Sequence, residues 1–125
     1  MLRAGVLVAA MSVLVAACAM VSQPPPPGTR MVQVQVKNNA DVPVELALTV
    51  GSTVVPGAVQ PSSLGPHELA DITFYLPFGG DWWITSNGMQ MFDARSVDEY
   101  VRQGCQMGME VSTDGSGGIG CYSPR

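Results

Sequence analysis

The residues that could do chemistry are few and widely spaced. His67 is the only imidazole and lies in Gly65-Pro66-His67-Glu68, a stretch of turn chemistry. A general base needs a defined proton donor and usually a third group that orients it. The neighbouring sequence supplies neither, so His67 is expected to be an exposed loop residue. Ten carboxylates could in principle furnish an acid and a base across a sugar bond. They are scattered over turns and polar strand faces, where solubility accounts for them. Asp93, Asp98 and Glu99 are the densest group and could bind calcium weakly, but they lack the EF-hand spacing. Gly115-Ser116-Gly117-Gly118-Ile119-Gly120 formally matches G-x-G-x-x-G. That motif holds a pyrophosphate only between a strand and the start of a helix. Five residues follow it here, so a flexible hairpin loop is expected instead. Met89, Met91, Met107 and Met109 alternate in pairs without a companion histidine, which fits fillers of core gaps better than copper ligands.

The aromatic residues are more informative. Phe74, Tyr75, Phe78, Trp82 and Trp83 fall close together in the chain. Adjacent strand residues point to opposite faces, so only one of Trp82 and Trp83 can readily join a core. The other is expected to be covered by a loop or to contact a protein partner, a sugar or a lipid headgroup. Tyr75 could extend such a surface. Tyr75, Trp82 and Trp83 are therefore the candidate ligand contacts, and no catalytic set, metal site or cofactor is expected.

With 46% apolar and 13% charged residues over 125 positions, the chain is neither a coiled coil nor a multi-domain enzyme. Its formal net charge of −4 would repel phosphate backbones, so nucleic acid is not an expected partner.

The first residues carry an address. Arg3 supplies a positive start, and residues 6–17 form an apolar run interrupted only by Ser12. A membrane-spanning helix needs about 20 apolar residues, whereas a signal core needs about 7 to 15, so residues 1–17 read as an export signal. Val15-Ala16-Ala17-Cys18 resembles the lipobox of bacterial lipoproteins. The resemblance covers the first 18 residues alone and implies processing and location rather than activity. It implies that Cys18 becomes the first residue, carries diacylglycerol on its thiol and can take a third acyl chain on its amine. Two or more chains give stable membrane attachment. Ala19 stands where an Asp would commonly retain the protein at the inner membrane. The implied location is thus the periplasmic side of the outer membrane in a diderm host, and otherwise the outer face of the cytoplasmic membrane. The alternative is an ordinary secretory signal with Cys18 as an apolar residue of its core.

With Cys18 assigned to lipid, Cys105 and Cys121 remain in an oxidising compartment, and a structural disulfide is expected between them. They lack the close spacing of a redox pair and the further ligands of a zinc site.

The elements that would carry these residues follow from patterning. Residues 18–30 comprise the lipidated cysteine and a spacer whose run Pro24-Pro25-Pro26-Pro27 favours polyproline II. A single domain is expected over residues 31–125. Residues 31–37 and 42–50 alternate apolar and polar, with Val32, Val34, Val36, Val44, Leu46, Leu48 and Val50 inward. Short strands are expected over 53–55 and 58–60, with a loop over 61–66. Strands over 69–76, 82–86 and 89–92 follow, the last two joined by a type I′ turn at Asn87-Gly88. Ser96-Val97-Asp98-Glu99 fits a capping box, so a short helix with Val97, Tyr100 and Val101 on one face is expected before Gly104; an irregular crossover is the alternative. Residues 105–112 and 121–122 close the strand set. About six or seven short strands between Gly, Pro and Asn turns predict an all-β, two-sheet β-sandwich. The strand count suggests immunoglobulin-like topology, an architectural likeness only, because the Cys–Trp–Cys spacing is missing.

Overall fold

The structure, a computed structural model, describes residues 25–122. The expected signal segment of residues 1–17, Cys18 and the first part of the expected spacer lie outside the described residues.

Period-two patterning becomes strands wherever it was clear. β1 (Thr29–Asn38) buries Val34 and Val36 and exposes Gln33 and Lys37. It begins two residues before the expected domain start. β2 (Val44–Val50) buries Val44, Leu46 and Leu48. Val50, expected inward, is 48% exposed: it is the last residue of β2, at the rim of the sheet opposite Trp82. β3 (Thr53–Val54), β4 (Val59–Gln60) and β5 (Ser63–Leu64) are short. β5 falls inside the expected loop and pairs with the start of β2. β6 (Leu69–Pro77), β7 (Trp82–Ser86) and β8 (Met89–Asp93) follow, and β9 (Gln106–Val111) and β10 (Gly118–Tyr122) end the described chain.

Two sheets result, in the orders β10-β9-β1-β6-β4 and β3-β2-β7-β8, with β5 beside β2. β1 and β6 are antiparallel, with Thr29 opposite Pro77 and Lys37 opposite Leu69. β2 and β7 are likewise antiparallel, with Val50 opposite Trp82. The chain changes sheet between β1 and β2 and again between β6 and β7, so these two pairs interlock. This is the D-E-B and C′-C-F-G arrangement of an immunoglobulin sandwich. It departs from that pattern where strand A would lie: β9 occupies the place beside β1 and runs parallel to it. The helix α1 (Ala94–Gln103) carries the chain from β8 in one sheet to β9 in the other, so that β9 enters beside β1 in the same direction.

α1 starts earlier than the capping box implied. Asp93 is the N-cap, accepting a hydrogen bond from the Ser96 amide at 2.9 Å, and Ser96 lies within the first turn. Either residue has capping chemistry; Asp93 takes the position because β8 runs directly into the helix. Gly104 ends it in the left-handed region, φ 68°, where a side chain would be strained. Val97 is fully buried, while Tyr100 and Val101 pack partly against the core. The core itself lies between Val34, Val36, Ile72, Phe74 and Leu76 of one sheet and Leu46, Leu48, Trp82 and Ile84 of the other. One polar side chain at its edge is fully satisfied. Asn38 donates to the carbonyls of Val42 and Gly65 and accepts from the Ala40 amide, which secures the turn between β1 and β2. Asn87 and Gly88 both have positive φ, as the expected type I′ turn requires.

Candidate functional site

Alternation along β7 divides the tryptophans. Trp82 points inward and is 1% exposed; its Nε1 has no hydrogen-bond partner among the described residues. Trp83 points outward and is half-buried, between Thr49 on β2 and Asp93 on β8. Tyr75 is half-buried on the outer face of the opposite sheet, across from Met31 on β1. The three candidate ligand contacts thus do not converge: one belongs to the core and the other two lie on opposite faces. Phe78 belongs to the same aromatic cluster of the sequence but is not one of the three candidate contacts. It is 71% exposed in the turn between β6 and β7, with the Arg30 guanidinium 5.8 Å from its ring centroid. Arg30 also pairs with Asp98 at 2.5 Å, joining the start of β1 to α1.

A shallow cleft of about 720 Å³ lies beside β2, between the outer face of the second sheet and residues 51–62. Glu45 is the one titratable group in its lining. The Glu45 carboxylate accepts hydrogen bonds from the hydroxyls of Ser62, at 2.6 Å, and of Ser63. These bonds hold its pKa below the usual carboxylate value, which keeps it charged and a poor proton donor. Its evident work is to hold β5 against β2.

His67 and the acidic group around α1 are engaged locally. His67 Nε2 meets Asp41 Oδ1 at 2.5 Å on the exposed turn surface, and no hydroxyl or thiol among the described residues hydrogen-bonds that ring. Asp93 caps α1, Asp98 pairs with Arg30, and Glu99 pairs with Arg102 at 2.7 Å, so the acidic group of the sequence is split three ways. Among the described residues no three His, Cys, Asp or Glu side chains cluster as a metal site would require. Met107 and Met109 are core residues, whereas Met89 is partly exposed.

The glycine-rich segment is more ordered than the expected flexible loop. Gly118, Ile119 and Gly120 belong to β10 and pair with Glu110, Met109 and Gly108 of β9. The connecting turn is tied by Asp114, whose carboxylate accepts from the Ser112 hydroxyl at 2.7 Å and from the Ser116 hydroxyl at 2.6 Å and amide at 2.9 Å. The two Ser116 and Ser112 hydroxyl bonds lead in driving its pKa well below the usual range. Gly117 is needed for a different reason: a Cβ there would lie 2.2 Å from the Glu110 carbonyl oxygen. Cys105 and Cys121 form the expected disulfide, with their Cα atoms 5.6 Å apart, and it closes the β9–β10 hairpin at its open end.

No family model, curated protein or solved structure gives a significant match to this chain. No helix among the described residues is long and apolar enough to cross a membrane.

Proposed function

We propose that the protein is a lipid-anchored module of the bacterial cell envelope, acting as a structural, interaction or accessory element rather than as an enzyme. One observation carries this reading: an apolar leader ends in Val15-Ala16-Ala17-Cys18, and only a short proline-rich spacer separates that cysteine from β1. The domain supports it, since Asp41, Glu45, Asp93, Asp98, Glu99, Asp114 and His67 are engaged separately in turns, caps and strand junctions. Acyl chains on Cys18 hold the domain at the periplasmic face of the outer membrane in a diderm host, or outside the cytoplasmic membrane otherwise. There it meets envelope proteins or glycans.

Mass spectrometry of the N-terminal peptide tests the anchor. The expected result is a chain beginning at Cys18 with diacylglycerol on sulfur, and Cys18→Ser should abolish that modification and membrane retention. An unmodified Cys18, or an intact leader on protein recovered from cytosol, would overturn the proposal. Pull-down of the intact lipidated protein from solubilised envelopes then identifies the partner.

A second reading, a small-ligand or glycan-binding lipoprotein, is favoured by Trp83. It is half-buried on the outer face of its sheet, with the polar residues Thr49 and Asp93 opposite it on the neighbouring strands. Glycan-array binding that is lost in Trp83→Ala would select this reading; binding unaffected by the change would reject it.

A further inference from the structure

Given an acyl anchor at Cys18, we infer that the sandwich stands on the membrane with the β6–β7 turn down, and that Phe78 enters the headgroup layer. This rests on the anchoring reading above and adds to it an orientation and a lipid-contacting residue. Four turns and termini meet at the end concerned. β1 starts there, and Thr29 is opposite Pro77, immediately before Phe78. Thr29 Oγ1 donates to the Pro26 carbonyl at 2.7 Å, which keeps the incoming chain against this end. The β2–β3 turn arrives beside it, because Val50 is opposite Trp82, and α1 starts there after Asp93.

Chain length then limits orientation. Cys18 and Pro25 are separated by few enough residues that even full extension spans only about 25 Å. β1 alone, with 10 residues, is about 33 Å long at roughly 3.3 Å per residue. Turning the domain over would lift Pro25 by at least the length of β1, farther than the tether reaches. The β1–β2 turn therefore cannot face the bilayer to which Cys18 is fixed.

The surface chemistry of the two ends differs in the same sense. Among the described residues, Met31, Val50, Val54 and Phe78 are exposed large hydrophobic side chains at the tethered end, while Val42, Leu69 and Met89 lie at the other. Trp83 is in a row with Val54 and Thr49, and Tyr75 is beside Met31, so an aromatic residue flanks the end on each face. Rings with an apolar body and a polar tip suit the headgroup zone. A groove of about 500 Å³ between the β6–β7 turn and α1 is lined by Phe78 together with Arg30, Arg95 and Arg102 and the carboxylates of Asp81 and Asp98. These guanidiniums are suited to lipid phosphates, although Arg30 and Arg102 also pair with Asp98 and Glu99. The tethered end sets Asp81, Asp93, Asp98 and Glu99 against Arg30, Arg95 and Arg102, whereas the far end sets Asp41, Glu45, Glu68, Glu110 and Asp114 against Lys37, so anionic lipid repels the far end more strongly.

The test uses the full lipidated chain in vesicles of phosphatidylcholine and phosphatidylglycerol, with the disulfide intact. A solvatochromic probe is attached through Ser52→Cys in the β2–β3 turn or, in a separate protein, through Asn39→Cys in the β1–β2 turn. Lipids brominated near the headgroup quench such a probe on contact. The expected result is a blue shift and quenching at position 52, neither at position 39, and loss of both from position 52 when Phe78→Asp is added. The melting temperature of Phe78→Asp checks that the domain remains folded. With acylation verified by mass and the protein retained on vesicles, absence of quenching at position 52, equal quenching at both positions, or quenching that survives Phe78→Asp would overturn the inference. A chain recovered from its producing cells with Cys18 unmodified would instead refute the anchor, and the inference would fall with it.

Discussion

Replacing Trp82 and Trp83 separately by alanine tests whether the adjacent tryptophans have the different roles that the strand geometry gives them. A tryptophan buries about 150–250 Å² when fully enclosed, worth roughly 5 kcal/mol at about 25 cal/mol per Å². Trp82 is 1% exposed and surrounded by core, so its removal also leaves a cavity; Trp→Ala in such a site costs about 3–5 kcal/mol. The unpartnered Nε1 moderates that loss, because the native state already bears the desolvation of a buried N–H, about 1–3 kcal/mol. A cost near the lower end, about 3 kcal/mol, is expected for Trp82→Ala. Trp83 is half-buried and its site opens to water, so Trp83→Ala loses about half the area and leaves no enclosed void, an expected cost of about 1–2 kcal/mol. Urea denaturation followed by far-ultraviolet circular dichroism gives both values. Each kcal/mol lowers the melting temperature of a domain this size by about 4–8 °C, so thermal melts should separate the variants clearly. Equal costs, or a larger cost for Trp83→Ala, would refute the inward and outward assignment. Trp82→Phe adds an internal check: it removes the unpaired N–H while retaining most of the ring, and should cost much less than Trp82→Ala.

The hairpin at the end of the described chain gives further predictions. Reducing the Cys105–Cys121 bond, or replacing both cysteines by serine, should destabilise the domain by about 3 kcal/mol, the chain-entropy value for a loop of about 15 residues, as read by urea denaturation with and without reductant. Gly117→Ala should destabilise more than Gly79→Ala in the same assay, because a Cβ at 117 meets the Glu110 carbonyl while one at 79 meets nothing within 4 Å. Acid should weaken the fold through Asp93 and Asp114, both of which have depressed pKa values in the folded protein. Their contribution is present above the unfolded carboxylate value of about 3.9 and is lost as pH falls through the folded values, so Asp114→Asn should flatten part of the acid limb of a stability-versus-pH curve.

How much of the fold could be read in advance follows from how local its causes are. β1, β2 and β6 show alternation long enough to reveal them as strands and to mark most of their buried face, though the ends of β1 and β2 shift by one or two residues and Val50 is exposed, and Asn87-Gly88 demands its turn through the backbone alone. The disulfide also followed, once Cys18 was set aside for lipid. β5 was hidden because Ser63-Leu64 has no period to show; it exists through Glu45, which gathers the hydroxyls of Ser62 and Ser63 from across β2. The start of α1 was misplaced for a related reason. Both Asp93 and Ser96 can cap, and only the continuation of β8 into the helix decides between them. Gly118 to Gly120 gave no strand signal, having almost no side chains, yet the β9 backbone and the nearby disulfide keep them in the sheet.

The candidate site was less legible, because it depends on which separate segments the sandwich brings to one end. Neighbours in sequence part company: Trp82 enters the core, Trp83 faces outward, and Tyr75 lies on the other sheet. Distant residues meet instead, since pairing of Thr29 with Pro77 and of Val50 with Trp82 brings Arg30, Val50 and Phe78 to the same rim. No window of sequence contains that rim, so an aromatic-cluster argument cannot say which of its members share a face. Phe78 differs from the other four aromatics of the cluster in having no strand position at all. A turn residue with a large apolar ring gains nothing from the core, and its exposure costs hydrophobic free energy wherever it meets water. On a freely diffusing domain such a side chain would be only a liability for association. On a domain whose entry strand starts beside it and is tied to a membrane, the same side chain lies where the solvent ceases to be pure water.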